Sequence, residues 1–308
     1  EDFRRAAGMY VYSKPQSVDF AVASILTLAS VFASLSMLVY FQLSRGHLSW
    51  WCVALYLLAW VGPGGRTMGS AYTLAHKEGH NRLLYRKWVR CGAGNVFENI
   101  VGPLFGIVPH SFTTAHIHIH HALDGGRGDS FYMWDVDRTS FADFLFFVAR
   151  ILAHMCCMST LRYFWVHDMR SQFYQLLRGA IIYWVCVPAL FYSLTGSLSL
   201  LFWAWFQPLI GMTVFLSVIN WAFHGFLAFD ENGKMIPCVN ATCIIDGPDD
   251  SFGEDDHMAH HYSTQTWYTE THKYRERIMD DLRKHHGSVF RAISIPEISI
   301  FIMLDDFE

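Results

Sequence analysis

Residues 20–42 read FAVASILTLASVFASLSMLVYFQ, 23 consecutive positions without a charge. Wound as an α-helix, such a run is ~35 Å long, enough to cross a hydrocarbon layer of ~30 Å. A helix with no polar face has no place on the surface of a small soluble domain, so a membrane crossing is the expectation the rest of the chain must accommodate. Composition agrees, since 52% of residues are hydrophobic and 16% charged, which excludes a disordered chain. With 23 Lys and Arg against 27 Asp and Glu, the formal charge is -4. There is no basic field to attract phosphate, and nucleic acid is excluded as a partner. The seven cysteines, at 52, 91, 156, 157, 186, 238 and 243, are odd in number and form no C-x-x-C pair. That argues against a disulfide scaffold or a cysteine-rich zinc site and favours a reducing compartment. Because the chain opens on Glu1, further residues, a targeting segment among them, are expected ahead of it.

Other apolar stretches complete a membrane architecture. Residues 48–72 read as a second crossing, broken at Gly62-Pro63-Gly64-Gly65-Arg66. Residues 180–195 and 198–220 read as a second hairpin turning at Thr195-Gly196-Ser197, its first arm short and carrying Pro188. Residues 141–166 are also apolar, but Asp143, Arg150 and His154 fall seven and four apart, one polar stripe, as expected of a helix lying in the interface. Residues 100–114, punctuated by Gly102, Pro103, Gly106 and Pro109, are expected to dip into the membrane and return. Residues 73–178 and 221–290 then form a cap, and 291–308 a C-terminal tail. The expected fold is an all-α multi-pass membrane protein: four transmembrane helices in two hairpins, a helical cap holding a two-metal site, and interfacial helices. Of the 23 Lys and Arg, only Arg45 and Arg66 fall outside the face carrying the N terminus, the middle loop and the C-terminal region. The other 21 make that face the positive side of the membrane.

The 17 histidines are concentrated in short clusters. His76-Lys77-Glu78-Gly79-His80 sets two imidazoles one helical turn apart, and His116-Ile117-His118-Ile119-His120-His121 and His257-Met258-Ala259-His260-His261 repeat the device. Asn220-Trp221-Ala222-Phe223-His224 places an Asn and a His on one helical face just beyond the last crossing. Neutral imidazole is a good ligand for first-row metals, and pairs at i, i+3 or i, i+4 let a rigid helix deliver two nitrogens to one site. His76, His80, His116, His120, His121, His224, His257, His260 and His261 make nine imidazoles, with Asn220 as a tenth, water-bridged group. Nine suits two metals at four to five ligands each and exceeds the needs of one. On a helix of 3.6 residues per turn His118 faces away from His116. Ligands of one cluster must share one side of the bilayer, so an even number of crossings must separate the clusters, which also keeps residues 141–166 in the interface.

As a set, HKEGH at 76–80, HIHIHH at 116–121 and HMAHH at 257–261 resemble the three histidine boxes of the integral-membrane fatty acid desaturase and hydroxylase superfamily, in the same order, across residues 70–265. NWAFH at 220–224 is similar to a further N-x-x-x-H element of acyl desaturases and alkane hydroxylases. The H-x-x-x-H-H spacing of box two is also similar to the hydroxylases, but Lys77 and Phe223 stand where those enzymes carry Glu, and box three is closer to the acyl-lipid desaturases. The resemblance implies a mushroom-like fold, two Fe ions, dioxygen as co-substrate and a lipid or acyl substrate. It also implies a separate electron donor, cytochrome b5 or a ferredoxin, since no H-P-G-G haem motif is present. The implied activity is oxygen-dependent introduction of a double bond into an unactivated alkyl chain, in the endoplasmic reticulum or a plastid or other organelle membrane, with the metals on the cytosolic or stromal side. A di-iron hydroxylase of alkyl, sterol or carotenoid substrates is the alternative within that chemistry, because the outcome turns on where two substrate carbons sit. A non-catalytic subunit of a membrane complex and a zinc hydrolase are the alternatives outside it.

Carboxylates beside the boxes, Glu78, Asp124, Asp129 and Glu254, are expected to accept N–H bonds from ligand imidazoles and fix their tautomers. Glu254, Asp255 and Asp256 also read as a solvated charge run. Trp134, Trp203, Trp205, Trp221 and Trp267 are candidates to line an acyl tunnel, although interface belts and core packing account for most membrane-protein tryptophans. Asn240-Ala241-Thr242 has the form of a glycosylation acceptor on the wrong side for use. Residues 267–286 read as an exposed helix. The apolar runs around Pro296 suit a strand-like patch, a membrane-surface contact or a docking point for a membrane protein partner.

Overall fold

The structure is a computed structural model that describes residues 2–81, 83–226, 228–236 and 239–305. Cys238 and residues 306–308 of the tail lie outside the described residues. Among the described residues three helices are long and apolar enough to cross a membrane: Pro15–Arg45, Arg170–Thr195 and Leu198–Phe223. The chain gathers into two compact bodies, Glu1–His116 with Met155–Met212, and Ile117–His154 with Thr213–Glu308.

In the first body α1 (Phe20–Arg45) realises the uncharged run and is ended by Gly46 in the left-handed region. It packs against α2 (Trp50–Val61) and α3 (Arg66–His80), with Ser30 Oγ donating to Ala59 O at 2.9 Å. The stretch 48–72 is therefore two helices. Gly62, Gly64 and Gly65 all take positive φ, a conformation that costs glycine little and ends one helix before the next begins. After that break α3 runs on to His80, so its last turn carries the first histidine pair. Residues 100–114 are irregular, with a π-turn at Phe97–Val101, a 3₁₀ turn at Gly102–Phe105 and the start of a second π-helical segment, Phe112–His120. Phe105, Ile107 and Val108 are buried in protein. Gly106, at φ +79°, brings this backbone against Leu209, where a Cβ would stand 2.5 Å from the Leu209 Cα.

The apolar stretch 141–166 is broken. α4 (Phe141–Met155) and α5 (Met158–Val166) meet at a sharp bend where Cys157 takes φ +64°. α6 (Arg170–Thr195) starts ten residues earlier than the apolar text suggests and carries Pro188 without ending. A π-turn at Ile182–Cys186, closed by the Val187 N–H on Ile182 O, widens the helix just before the proline. α7 (Leu198–Phe223) repeats the solution, with a π-turn at Phe202–Phe206 ahead of Pro208. The two helices are clasped by a reciprocal pair, Tyr183 Oη to Trp205 O at 3.1 Å and Trp205 Nε1 to Tyr183 O at 3.0 Å. Trp205 thus serves helix packing.

Among the described residues, the second body departs from an all-helical cap by one small sheet. β1 (Cys243–Ile245) pairs in parallel with β2 (Val289–Arg291). Between them run α8 (His257–Tyr262), which carries box three, and α9 (Thr271–Lys284). Val239, Ala241, Cys243, Met258, Ile278 and Leu282 form the buried apolar cluster beneath these elements. The tail is helical where a strand-like patch was one reading: α10 (Ile295–Leu304) begins in a capping box between Ser294 and Glu297, with Pro296 in the first turn, where its missing N–H costs nothing. Ser299 Oγ, in α10, donates to Val218 O of α7 at 2.6 Å.

Candidate metal centre

The first body contributes three imidazoles. His76 and His80 stand one turn apart at the buried end of α3, and His116 lies in the segment Phe112–His120. Their Nε2 atoms form a triangle, with His76–His80 at 3.1 Å, His76–His116 at 2.8 Å and His80–His116 at 3.1 Å. One proton cannot lie along two edges of such a triangle, so hydrogen bonding among the rings leaves lone pairs facing each other. A metal explains the spacing. Two imidazole nitrogens in neighbouring positions of an octahedron, each ~2.1 Å from the ion, are about 3.0 Å apart. All three rings are buried.

Glu78 lies between the two ligands of α3 in sequence but not in space. Two residues along a helix is more than half a turn, so the carboxylate points away from the imidazoles. It accepts from the Phe97 and Glu98 N–H groups, both at 2.9 Å, and from Tyr85 Oη, rather than from a ligand ring. The expectation that Glu78 would fix a ligand tautomer is thus corrected: it ties α3 to the π-turn at 97–101. Glu98, buried alongside and bonded to Thr113 N–H at 2.9 Å, extends the tie to the box-two segment and was not singled out from sequence.

In the second body His120, His224, His257 and His261 bring one nitrogen each to within 4.8 Å of one another. Three of them are held from behind. His120 Nδ1 bonds Asp129 Oδ2 at 2.8 Å, His261 Nδ1 bonds Asp124 Oδ1 at 2.8 Å, and His224 Nδ1 donates to Asn240 O at 2.7 Å. Anchoring Nδ1–H in this way leaves the Nε2 lone pair to face inward, the tautomer a metal requires. His224 and His257 accordingly meet through Nε2 atoms 3.2 Å apart, and His261 Nε2 is buried with no hydrogen-bond partner among the described residues. Burial, then the neighbouring His120 and His261, lowers the His224 pKa to about 3, so this ring is neutral. Burial raises the Asp129 pKa, but the interaction with His120 and the hydrogen bond from the Phe131 N–H outweigh it and the net shift is downward. Asp124 behaves likewise through His261. His121 and His260 stand beside this set with ring centroids 4.9 Å apart.

The remaining sequence candidates fall as follows. Asn220 is buried and its amide donates to Leu216 O at 2.8 Å. Glu254, Asp255 and Asp256 are all buried, so they are not a solvated run, and Asp256 pairs with Arg275. Trp221 packs on Phe144 and Phe147 and donates to Arg138 O at 3.2 Å. Asn240 is fully buried, and besides holding His224 it donates to Asp124 O at 2.9 Å. Its glycosylation-like triplet concealed this supporting role, which depends on a backbone carbonyl that no motif encodes.

The described residues therefore present two histidine clusters suited to metal ions, inside a chain with several membrane-spanning helices. Residues 48–292, most of the chain and every histidine cluster, match the family model described as fatty acid desaturase. No curated protein and no solved structure matches the chain.

Proposed function

The chain belongs to the fatty acid desaturase family and is a desaturase-type membrane oxidoreductase acting on a lipid chain, and from that premise we propose that it uses two irons and dioxygen to place a double bond in a fatty acyl chain. The observation that carries this reading is the all-imidazole donor set, with Nδ1–H groups tethered to Asp124, Asp129 and Asn240 O so that Nε2 lone pairs converge. His76, His80 and His116 serve one iron, and His120, His224, His257 and His261 the other. His121 and His260 complete the coordination, and Asn220 acts through a water. When bound, the irons supply the reduction of dioxygen and the removal of hydrogen from an alkyl carbon that no side chain can attack.

The protein's own residues set the conditions for that chemistry. Burial of most of these rings excludes bulk water from the converging nitrogens. Asp124 and Asp129 hold the tautomers through turnover, and Glu254 supports a box-three ring in the same way. Four crossings in two hairpins, α1, the broken pair α2–α3, α6 and α7, keep all the boxes on one positive face, with α4 and α5 in the interface. The lengths and apolar character of α1, α6 and α7 support this topology. Electrons come from a separate cytochrome b5 or ferredoxin, and the membrane is that of the endoplasmic reticulum or a plastid.

Expression with labelled acyl lipids followed by mass spectrometry tests the reading. A product lighter by two mass units is expected. A product heavier by sixteen transfers the assignment to hydroxylase, and no product with fully metallated protein overturns the enzymatic reading.

A further inference from the structure

A cavity of about 320 Å³ opens in the second body, lined in part by Gly225 and Phe226, which follow His224, and by none of the converging imidazoles. Its polar lining is Arg138, Thr139, His286, Ser288 and Asp305, and its apolar wall is Phe226 and Ile302 among others. Arg138 is half-buried and donates to Gly225 O. Its other N–H groups meet no carboxylate among the described residues, since neighbouring Asp137 spends one oxygen on the Thr139 N–H and hydroxyl at 3.0 and 2.8 Å. Asp137 feels the Arg138 charge, but it is exposed and bonded to Thr139, so the guanidinium fork keeps donors that match phosphate oxygens. Asp305 brings the opposite charge to the same cavity. It stands at the C-terminal end of α10, where unsatisfied carbonyls add negative potential. Arg138 and Asp305 do not pair with one another.

Two opposite charges that do not pair with one another, in one cavity of this size, are complementary to a ligand that carries both, set a few bonds apart. The geometry points to a zwitterionic phosphate ester, a phosphate joined to an ammonium group as in phosphocholine or phosphoethanolamine, with the phosphate on Arg138, His286 and Ser288 and the ammonium between Asp305 and the Phe226 ring. Aromatic faces recognise such cations. A volume near 300 Å³ is the lower end of small-ligand sites and fits a headgroup rather than a whole lipid. The lipid as source is favoured by α10 itself, whose outward residues Pro296, Ile300 and Leu304 are exposed and apolar. This adds a headgroup class to the proposed function and rests on it for physiological meaning, but binding at this pocket needs no iron.

The full chain, purified in a sugar-based detergent free of phosphate and ammonium, is titrated with phosphocholine, inorganic phosphate and choline, following the thermal midpoint. Phosphocholine is expected to bind at least tenfold more tightly than either half alone. Arg138→Gln should weaken it tenfold or more. Asp305→Asn, at an exposed position that does not endanger folding, should reduce phosphocholine to the level of inorganic phosphate. In phosphatidylcholine nanodiscs the response to added phosphocholine should vanish, while it persists in phosphatidylglycerol nanodiscs. A response persisting in both keeps the zwitterion but assigns it to a soluble ester. Equal affinity for all three probes, or unchanged binding in both variants, overturns the proposal. The same titration on iron-free His260→Ala should match the wild type, so failure of the pocket and failure of the di-iron reading are told apart.

Discussion

Asp129→Asn tests whether carboxylates behind the rings, and not the rings alone, make a metal site. Asp129 is buried, its side chain 1% exposed, and takes donors from three directions: His120 Nδ1 at 2.8 Å and Gly125 N–H at 3.1 Å on one oxygen, Phe131 N–H at 3.0 Å on the other. An amide offers one acceptor oxygen. Whichever way it lies, its NH₂ faces a backbone or ring N–H, and at least one buried donor loses its partner at a cost of about 1–3 kcal/mol each. If the oxygen stays with His120, the bond to the ring changes from charge-assisted to neutral and is roughly halved in strength. Metal affinity at His120 should then fall ~10–100-fold, as for other partners of ligand histidines. Chelator competition on purified protein, with iron counted per chain, reads this directly, and thermal melting reads the stability cost. A variant that melts earlier yet keeps iron with wild-type affinity would show that Asp129 only builds the loop, and the argument from anchored tautomers would be wrong.

Two further perturbations separate parts of the account. Gly79→Ala places a Cβ 2.6 Å from the Phe112 Cβ, so the box-two segment must shift away from α3; a loss of about 1–3 kcal/mol is expected, with iron lost from the His76–His80–His116 triangle, and full iron content in the variant would contradict the triangle. Burial, then Asp250 and the other nearby carboxylates, pushes the Asp255 pKa up to about 8, whereas in the unfolded chain it is ~3.9. Between those values the native state holds a proton that the unfolded state has released, so stability falls as pH rises through the window. Asp255→Asn removes that fall, and its melting midpoint relative to wild type should climb from pH 5 to pH 8; parallel profiles would refute the sign.

What could be read from sequence depended on whether one property dominated locally. The α1 crossing was legible because 23 uncharged residues admit one solution, and the His76–His80 pair because helical spacing is rigid. The role of Glu78 was legible in principle from the same helical wheel, which puts it opposite its neighbours. Other features were set by tertiary packing. The π-turns that carry α6 and α7 past Pro188 and Pro208 follow from helix pairing, not composition. The pairing of β1 with β2 joins segments more than forty residues apart, and three-residue strands leave no periodic trace. Asn240 and Glu98 act through buried polar bonds that only the folded chain assembles. His116 and His120, one turn apart in the sequence, supply different nitrogen sets, a division that spacing alone does not reveal.

Two histidine sets imply two metals, and the decisive measurement is the iron content of anaerobically purified protein in three forms. The wild type should hold two irons per chain, while His116→Ala and His257→Ala, each removing a ring from a different set, should each fall to one or fewer. One iron or none in fully folded wild type, or two in either variant, would contradict the two-set assignment on which the oxidative reading stands.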